Sequence, residues 1–345
     1  MSGGVVDVLI IGAGPSGLSC AIEARRAGFS ALNVEKGCLV NSLYNYPTNM
    51  TFFTTSELLE IGGIPFPSTS AKPTRQEAME YYRRVSEHYR LDLRLYTSVE
   101  KVEGADGDFQ VHVRDRASRP EILHARKLVL ASGYYDLPNL LDVPGEELPK
   151  VQHYYREPHP YFGSDVVVVG GKNSAAIAAL ELWRHGARVT LVHRGPGVHH
   201  HVKYWIRPDL ENRIRNGEIK AHFNTFVKEI NDYTVLLQTA SGPLRIPNDF
   251  VLALTGYRPD FRFMEKLGIE FTSIDHKPVV NPETLESNVP GIYLAGVVIA
   301  GTRTSEVFIE NGRFHGLQIA NHMKAKLLTA APERVSIPTH LRNRE

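Results

Sequence analysis

An internal repeat narrows the possible folds of this chain at once. Val6–Lys36 reads VDVLIIGAGPSGLSCAIEARRAGFSALNVEK, and Ser164–Arg194 reads SDVVVVGGKNSAAIAALELWRHGARVTLVHR. The two align without a gap: Asp7 falls on Asp165, Gly12 on Gly170, Gly17 on Ala175, Gly28 on Gly186 and Glu35 on His193. Each copy is an apolar strand, a glycine-containing turn, an amphipathic helix closed by glycine, and a second apolar strand. That order describes a βαβ unit on a buried parallel sheet. Unrelated units would not be expected to keep Gly12/Gly170 and Gly28/Gly186 in register without a gap. The chain therefore reads as an α/β protein with two Rossmann-like dinucleotide-binding domains, and 345 residues are more than one core usually holds.

The first copy carries the full fingerprint Gly12-Ala13-Gly14-Pro15-Ser16-Gly17. Gly12 permits the tight turn, Gly14 admits a pyrophosphate, and Gly17 lets helix and strand pack closely. The helix start offers free N–H groups and a positive dipole end to that pyrophosphate. Glu35, at the tip of the second strand and followed by Lys36, accepts from ribose hydroxyls and would repel a 2′-phosphate. This site suits FAD or NAD rather than NADP. The second copy, Gly170-Gly171-Lys172-Asn173-Ser174-Ala175, departs from it twice: Lys172 stands where Gly14 stands, and His193-Arg194 replaces Glu35-Lys36. Losing the acid and gaining Arg194 favours a 2′-phosphorylated ribose, because arginine grips phosphate bidentately. His199, His200, His201 and Lys203 either add cationic capacity there or form a solvated loop. Adjacent histidines lack the spacing and companion ligands of a metal centre, so no metal is expected. Two unequal sites in one chain imply hydride transfer from NADPH to FAD.

Elsewhere, capping boxes at Thr54-x-x-Glu57 and Thr74-x-x-Glu77 announce helices. Leu91–Val102 and Phe109–Arg114 read as strands around the turn Gly104–Asp108, and Thr234–Thr239 reads as another, giving a small β-meander. Three apolar strands end in glycine: one runs into Ala131-Ser132-Gly133, one into Thr255-Gly256, one into Gly296. In open α/β sheets ligands sit at such carboxyl ends. The Pro-rich stretch Leu137–Pro160 reads as a linker. With 39 basic against 38 acidic residues, no nucleic-acid or anionic-membrane footprint is expected. The apolar runs are strand-sized, the N-terminus shows no cleavable segment, and two cysteines fit a reducing cytosol, so a cytoplasmic, non-membrane protein is expected.

These motifs, with the closing Gly291-Ile292-Tyr293-Leu294-Ala295-Gly296, resemble the thioredoxin-reductase-like flavoproteins. The resemblance implies an NADPH domain (136–258) inserted into a discontinuous FAD domain (1–135 and 259–345). Redox members carry Cys-x-x-Cys before the second fingerprint, but Val151–Phe162 contains no cysteine. Val40–Tyr44, Met50–Ser56, Glu60–Phe66, Gly170–Ser174 and Phe308–Gly316 are similar to one branch, the bacillithiol disulfide reductase family. That likeness implies FAD, NADPH, a homo-oligomer, and a low-molecular-weight disulfide as acceptor. It sets Asn41, Ser42, Met50, Thr51, Phe52 and Phe53 along the flavin. Val297 replaces the aspartate most relatives carry after Gly296, so Gly296 and Val297 should meet the flavin through backbone N–H groups.

One departure bears on catalysis. Studied members of the branch carry a redox cysteine between the proline and the last glycine of the first fingerprint, where this chain has Ser16. Serine forms no mixed disulfide. Cys20 is a weak substitute, Cys38 is expected near the adenosine end, and no catalytic residue is assigned. Electrons are therefore expected to leave the flavin directly, past aromatics such as Tyr44, Tyr46 and Tyr134. A small redox protein is the other possible acceptor, as in ferredoxin- or flavodoxin-NADP reductases. A cofactor-binding redox sensor is the non-enzymatic alternative.

Overall fold

A computed structural model describes residues 4–330; the outermost residues of the expected FAD domain, 1–3 and 331–345, lie outside it. The repeat appears as two units with the same order of elements. Strand β1 (Val6–Ile11), helix α1 (Pro15–Arg26) and strand β2 (Ala31–Val34) form the first; β3 (Asp165–Val169), α2 (Asn173–Arg184) and β4 (Arg188–Val192) form the second. β1 pairs in parallel with β2 and with the long strand 120–130, which in turn pairs in parallel with 292–294. β3 pairs in parallel with β4 and with 250–253.

Alternation along each central strand explains the layers. Leu9 and Ile11 face a core with Phe109, Val111 and Leu128 beneath an antiparallel meander of 98–105, 108–114 and 120–130, while Val8 and Ile10 face α1. In the second unit Val166 and Val168 face α2, and Val167 and Val169 face Val227, Val235 and Leu237 of a second meander, 226–247. Each half thus has its own meander and two apolar faces, and so its central strand is wholly apolar. A closing helix, α3 (His315–Ala330), lies on α1. The approach is close: a Cβ at Gly316 would sit 2.7 Å from the Ser19 backbone, and Ser19 Oγ donates to the Arg313 carbonyl at 2.6 Å.

The second sheet uses only residues between 151 and 253, whereas the first resumes at 292, so one unit is inserted in the other. The chain crosses between them twice, and the crossings pair antiparallel as Leu137–Pro138 with Tyr257–Arg258. Three expectations need adjusting. Leu137–Pro160 is no simple linker, because Val151–Gln152 adds a parallel strand to the second sheet. Leu91–Val102 breaks at Tyr96, whose φ of 53° leaves the extended region, into strands 92–94 and 98–105. The Thr74–Glu77 capping box is present, but Thr54 caps nothing: the turn 56–59 is 3₁₀, and Thr55 holds its N-cap position.

Candidate active site

Both fingerprint turns are built alike. The Gly12 N–H donates to Val34 O at 2.8 Å and the Gly170 N–H to Val192 O at 3.0 Å. A Cβ on Gly12 (φ 116°) would stand 2.3 Å from the Ala131 carbonyl oxygen, and one on Gly170 (φ 152°) 2.5 Å from that of Leu254. Gly17 has the same necessity, since its Cβ would meet Gly12 O at 2.3 Å. Gly14 differs: nothing lies within 4 Å of its absent Cβ. It opens onto the space in front of α1, whose N-cap receives no side-chain hydrogen bond. Room, free N–H groups and the dipole are what a pyrophosphate needs.

Asn33, which the sequence reading missed, braces this turn. Buried in β2, it donates from Nδ2 to Gly12 O at 2.9 Å and to Gly17 O at 3.1 Å. Its signal was a polar residue inside an apolar strand. At the strand tip Glu35 accepts from the N–H groups of Ala13 (3.0 Å) and Gly37 (2.8 Å). Burial lifts its pKa above the ordinary carboxylate value, against the pull of those two donors. Lys36 turns away to Asp136, at 3.0 Å.

A single cleft of about 2270 Å³ runs from the first turn to the second. That exceeds the roughly 300–1,000 Å³ of a drug-sized site and leaves room for two dinucleotides. Gly14, Pro15, Ser16 and Glu35 line one end, with Asn41, Ser42 and Met50–Phe53 beside them and Ala131–Gly133 and Val297 behind. Phe52 is buried and Phe53 exposed, so only the first is core. Gly170–Ser174, His193, Arg194, Lys203, Thr255 and Gly256 line the other end. The strand-end glycines 133, 256 and 296 all have φ between 73° and 91°, the left-handed region.

Gly12, Gly17 and Ala175 act behind the cleft surface, as packing. Gly296 is a correction: its N–H donates to His315 Nδ1 at 2.9 Å and is not free for a flavin, while its missing Cβ makes room for Ser16 Oγ. Tyr46 and Tyr134 line the cleft as expected, whereas Tyr44 lies outside it, its exposed ring under the Arg75 guanidinium. The sequence reading also missed Tyr135, Tyr154 and Tyr257. They pack on one another at the domain crossings, with ring centroids 4.3–5.4 Å apart.

At the second turn the His193 ring fills the space over Gly171, where a Cβ would come within 2.2 Å of it. Burial, and then the Arg194 charge, lower the His193 pKa. Loss of hydration and the neighbouring imidazoles likewise lower His199 and His201. These shifts disfavour the cationic form of His193, His199 and His201, against the expectation of cationic capacity from those rings; Lys172, Arg194 and Lys203 are the other basic side chains at this end. Arg194 is exposed and makes no hydrogen bond or ion pair among the described residues. The Lys203 ammonium lies 5.3 Å from the Phe53 ring centre. The histidine run also assembles better than its spacing suggested, with one nitrogen of each imidazole within 4.8 Å of the others.

Neither cysteine reaches the cleft. Cys20 is buried in the α1 core, and burial pushes its thiol up to about 12. Cys38 lies 3.6 Å from Asn41 Oδ1, its pKa raised by burial and then by the Glu35 charge. Thiols held protonated are poor nucleophiles.

Two cradles facing one cleft match a known pattern. The family described as pyridine nucleotide-disulphide oxidoreductase matches residues 9–296. The chain belongs to that family. A bacilliredoxin reductase of Bacillus subtilis (strain 168) is 46% identical over 313 residues, covering 90% of this chain and 95% of that protein. The solved structure of a bacillithiol disulfide reductase from Bacillus cereus is 46% identical, with a TM-score of 0.92 over 94% of this chain and 100% of its own. A thioredoxin reductase of T. acidophilum shares the fold, at 22% identity and TM-score 0.73 over 94% of this chain and 99% of its own. The resemblance read from the sequence is borne out: this family member is an FAD-containing, pyridine nucleotide-dependent oxidoreductase. Among the described residues no helix is long and apolar enough to cross a membrane.

Proposed function

We propose that the protein takes hydride from NADPH onto FAD and delivers the electron pair to the disulfide of a low-molecular-weight thiol of the bacillithiol type, with no cysteine relay. NADPH, a proton and one disulfide give NADP⁺ and two thiols. The observation that carries this is a cleft joining two fingerprint turns and containing no thiol. When bound, FAD supplies the two-electron chemistry that passes reducing equivalents between nicotinamide and disulfide.

This chain's residues bind and orient. Gly14, Pro15, Ser16 and the open end of α1 face the FAD pyrophosphate, and Glu35 accepts from its ribose. Asn41, Ser42, Met50, Thr51, Phe52, Ala131, Ser132, Gly133 and Val297 flank the flavin. Gly170, Gly171, Lys172, Asn173 and Ser174 receive the NADPH pyrophosphate, Arg194 and Lys203 its phosphates, and Thr255 and Gly256 the nicotinamide side. Tyr46 and Tyr134 keep water from the acceptor's side of the cleft. We assign residues 1–135 and 259–345 to the FAD half and 136–258 to the NADPH half, in a cytoplasmic homo-oligomer.

The test is an anaerobic acceptor screen. NADPH should bleach the flavin, and bacillithiol disulfide should restore its colour within a turnover while ferredoxin or flavodoxin does not. Reoxidation only by a small redox protein would transfer the acceptor role to that protein.

A further inference from the structure

Beyond that reading, we propose that His199, His200 and His201 form a zinc site whose occupation shuts NADPH out of the cleft. The triad is more than an exposed histidine run. The His199 and His200 rings stack at 4.3 Å and 25°, and the His200 and His201 centroids lie 4.1 Å apart. One ligand nitrogen from each comes within 4.8 Å of the others. Tetrahedral zinc with bonds of roughly 2.0–2.1 Å holds its nitrogens roughly 3.4 Å apart, a closure that side-chain rotation supplies.

The backbone prepares this arrangement. The His201 N–H donates to His199 Nδ1 at 3.1 Å, so Nδ1 is that ring's lone-pair nitrogen and the atom that zinc would take over from the N–H. Asn173 ties the loop down, donating from Nδ2 to His201 O at 3.2 Å and accepting the Lys203 N–H on Oδ1 at 2.9 Å. These bonds hold the backbone of the loop that carries the three rings. Three imidazoles and one open position make a ligand set that suits Zn²⁺ and excludes the hard, oxygen-seeking cations.

All three rings line the NADPH end of the cleft. His193, at the strand tip of the second fingerprint, has its ring centre 6.3 Å from that of His199. A zinc ion there places a dication and its bound water in the coenzyme's path and draws in the loop that Asn173 anchors. Zinc and NADPH then compete. The competition rests on the proposed placement of NADPH; the zinc site itself does not.

The experiment uses the FAD-loaded full chain and Zn²⁺. Zinc is first titrated without coenzyme against a chromophoric chelator, in the parent and in a His200→Ala/His201→Ala variant checked for full flavin absorbance. The parent should bind one Zn²⁺ per chain, and the variant should bind it at least about 10–100-fold more weakly, the loss that even an outer partner causes. Steady-state kinetics should then show zinc raising the KM for NADPH at constant kcat in the parent only. Undiminished zinc binding by the variant, or binding abolished instead by Cys38→Ser, overturns the site. Zinc bound by the triad with no rise in KM overturns the competition. Failure of NADPH to bleach the flavin in zinc-free buffer would count against the coenzyme reading alone.

Discussion

At the first fingerprint the helix meets its strand through Gly17, with no room for a methyl group; at the second, Ala175 occupies that place. At the first the strand tip bears Glu35, held by two backbone N–H groups; at the second it bears His193, whose pKa burial lowers, beside Arg194, which makes no ion pair among the described residues. The first turn leaves an empty place at Gly14, and the second puts a lysine there. The turn itself, with its N–H to the neighbouring strand, is common to both, because a dinucleotide demands that geometry of any chain. What differs is the surrounding chemistry. An acid held by two backbone N–H groups suits the ribose of a cofactor that stays, and an exposed arginine suits the phosphate of a coenzyme that comes and goes.

The sharpest way to break this comparison is at the shared turn. Gly12→Ala must adopt a φ near 116° and press a methyl onto the Ala131 carbonyl. Backbone strain and overpacking together should cost about 3 kcal/mol or more, and the protein should lose its cooperative thermal transition or melt far earlier. Gly14→Val separates binding from folding, because no protein atom lies near that Cβ. It should fold with an unchanged circular dichroism spectrum yet purify colourless. Full flavin occupancy in that variant would falsify the placement of the pyrophosphate.

The rim of the second cradle carries the next effect. Arg194→Ala removes a charge-assisted bond worth about 1.5–3 kcal/mol, so the KM for NADPH should rise roughly tenfold to a hundredfold or more while NADH is hardly affected. Equal losses with both coenzymes would show that Arg194 serves the pyrophosphate. Lys36→Ala, the matching change in the first cradle, should leave both constants alone, because that lysine pairs with Asp136.

Much of this contrast could be read from the sequence because fingerprints are local: turn, helix start and strand tip lie within one βαβ unit. Gly12, Gly14 and Gly17 build the first turn, and Glu35 and Arg194 follow the second strand of their units, all positions set by local spacing. The parts that escaped depend on distant segments. Nothing near Gly296 in sequence says that His315 takes its N–H, or that Ser16 fills the gap its missing Cβ leaves. The tyrosines at the crossings meet only because residues 135, 154 and 257 are brought together by the insertion. Spacing rules for metal sites likewise assume regular elements. In a turn braced by Asn173, neighbouring imidazoles converge.

A pH series sharpens the contrast with a smaller effect. His315 Nδ1 accepts from Gly296 N–H, and burial lowers its pKa; His193 is lowered too, from a more open position. A histidine whose folded pKa lies below the unfolded value of about 6.5 resists protonation in the native state. Its contribution is therefore present above pH 6.5 and lost as the pH falls through that value toward the folded pKa. Melting temperature should decline below about pH 6.5. His315→Gln should flatten the decline more than His193→Gln. The opposite ranking would mean that protonating His193 costs the folded state more than protonating His315.

The smallest expected effect concerns the space between the cradles, and its smallness is the point. Disulfide reductases commonly relay electrons through a thiolate, which must be deprotonated and within reach of both flavin and substrate. Cys20 meets neither condition, being buried in the α1 core with its pKa pushed to about 12. Cys38 sits beside Asn41, outside the cleft lining, its thiol also held protonated. Ser16 does face the cleft, but an alcohol cannot carry the electron pair as a disulfide. The Cys20→Ala, Cys38→Ala double variant should therefore keep its NADPH-dependent disulfide reduction within about twofold. Cys20→Ala removes a small apolar group and should cost stability of about 1 kcal/mol, visible as a lower melting temperature rather than a lower kcat. If Cys20→Ala alone abolished turnover while flavin content and NADPH-driven bleaching stayed normal, a cysteine relay would operate and the direct route from flavin to acceptor would be wrong.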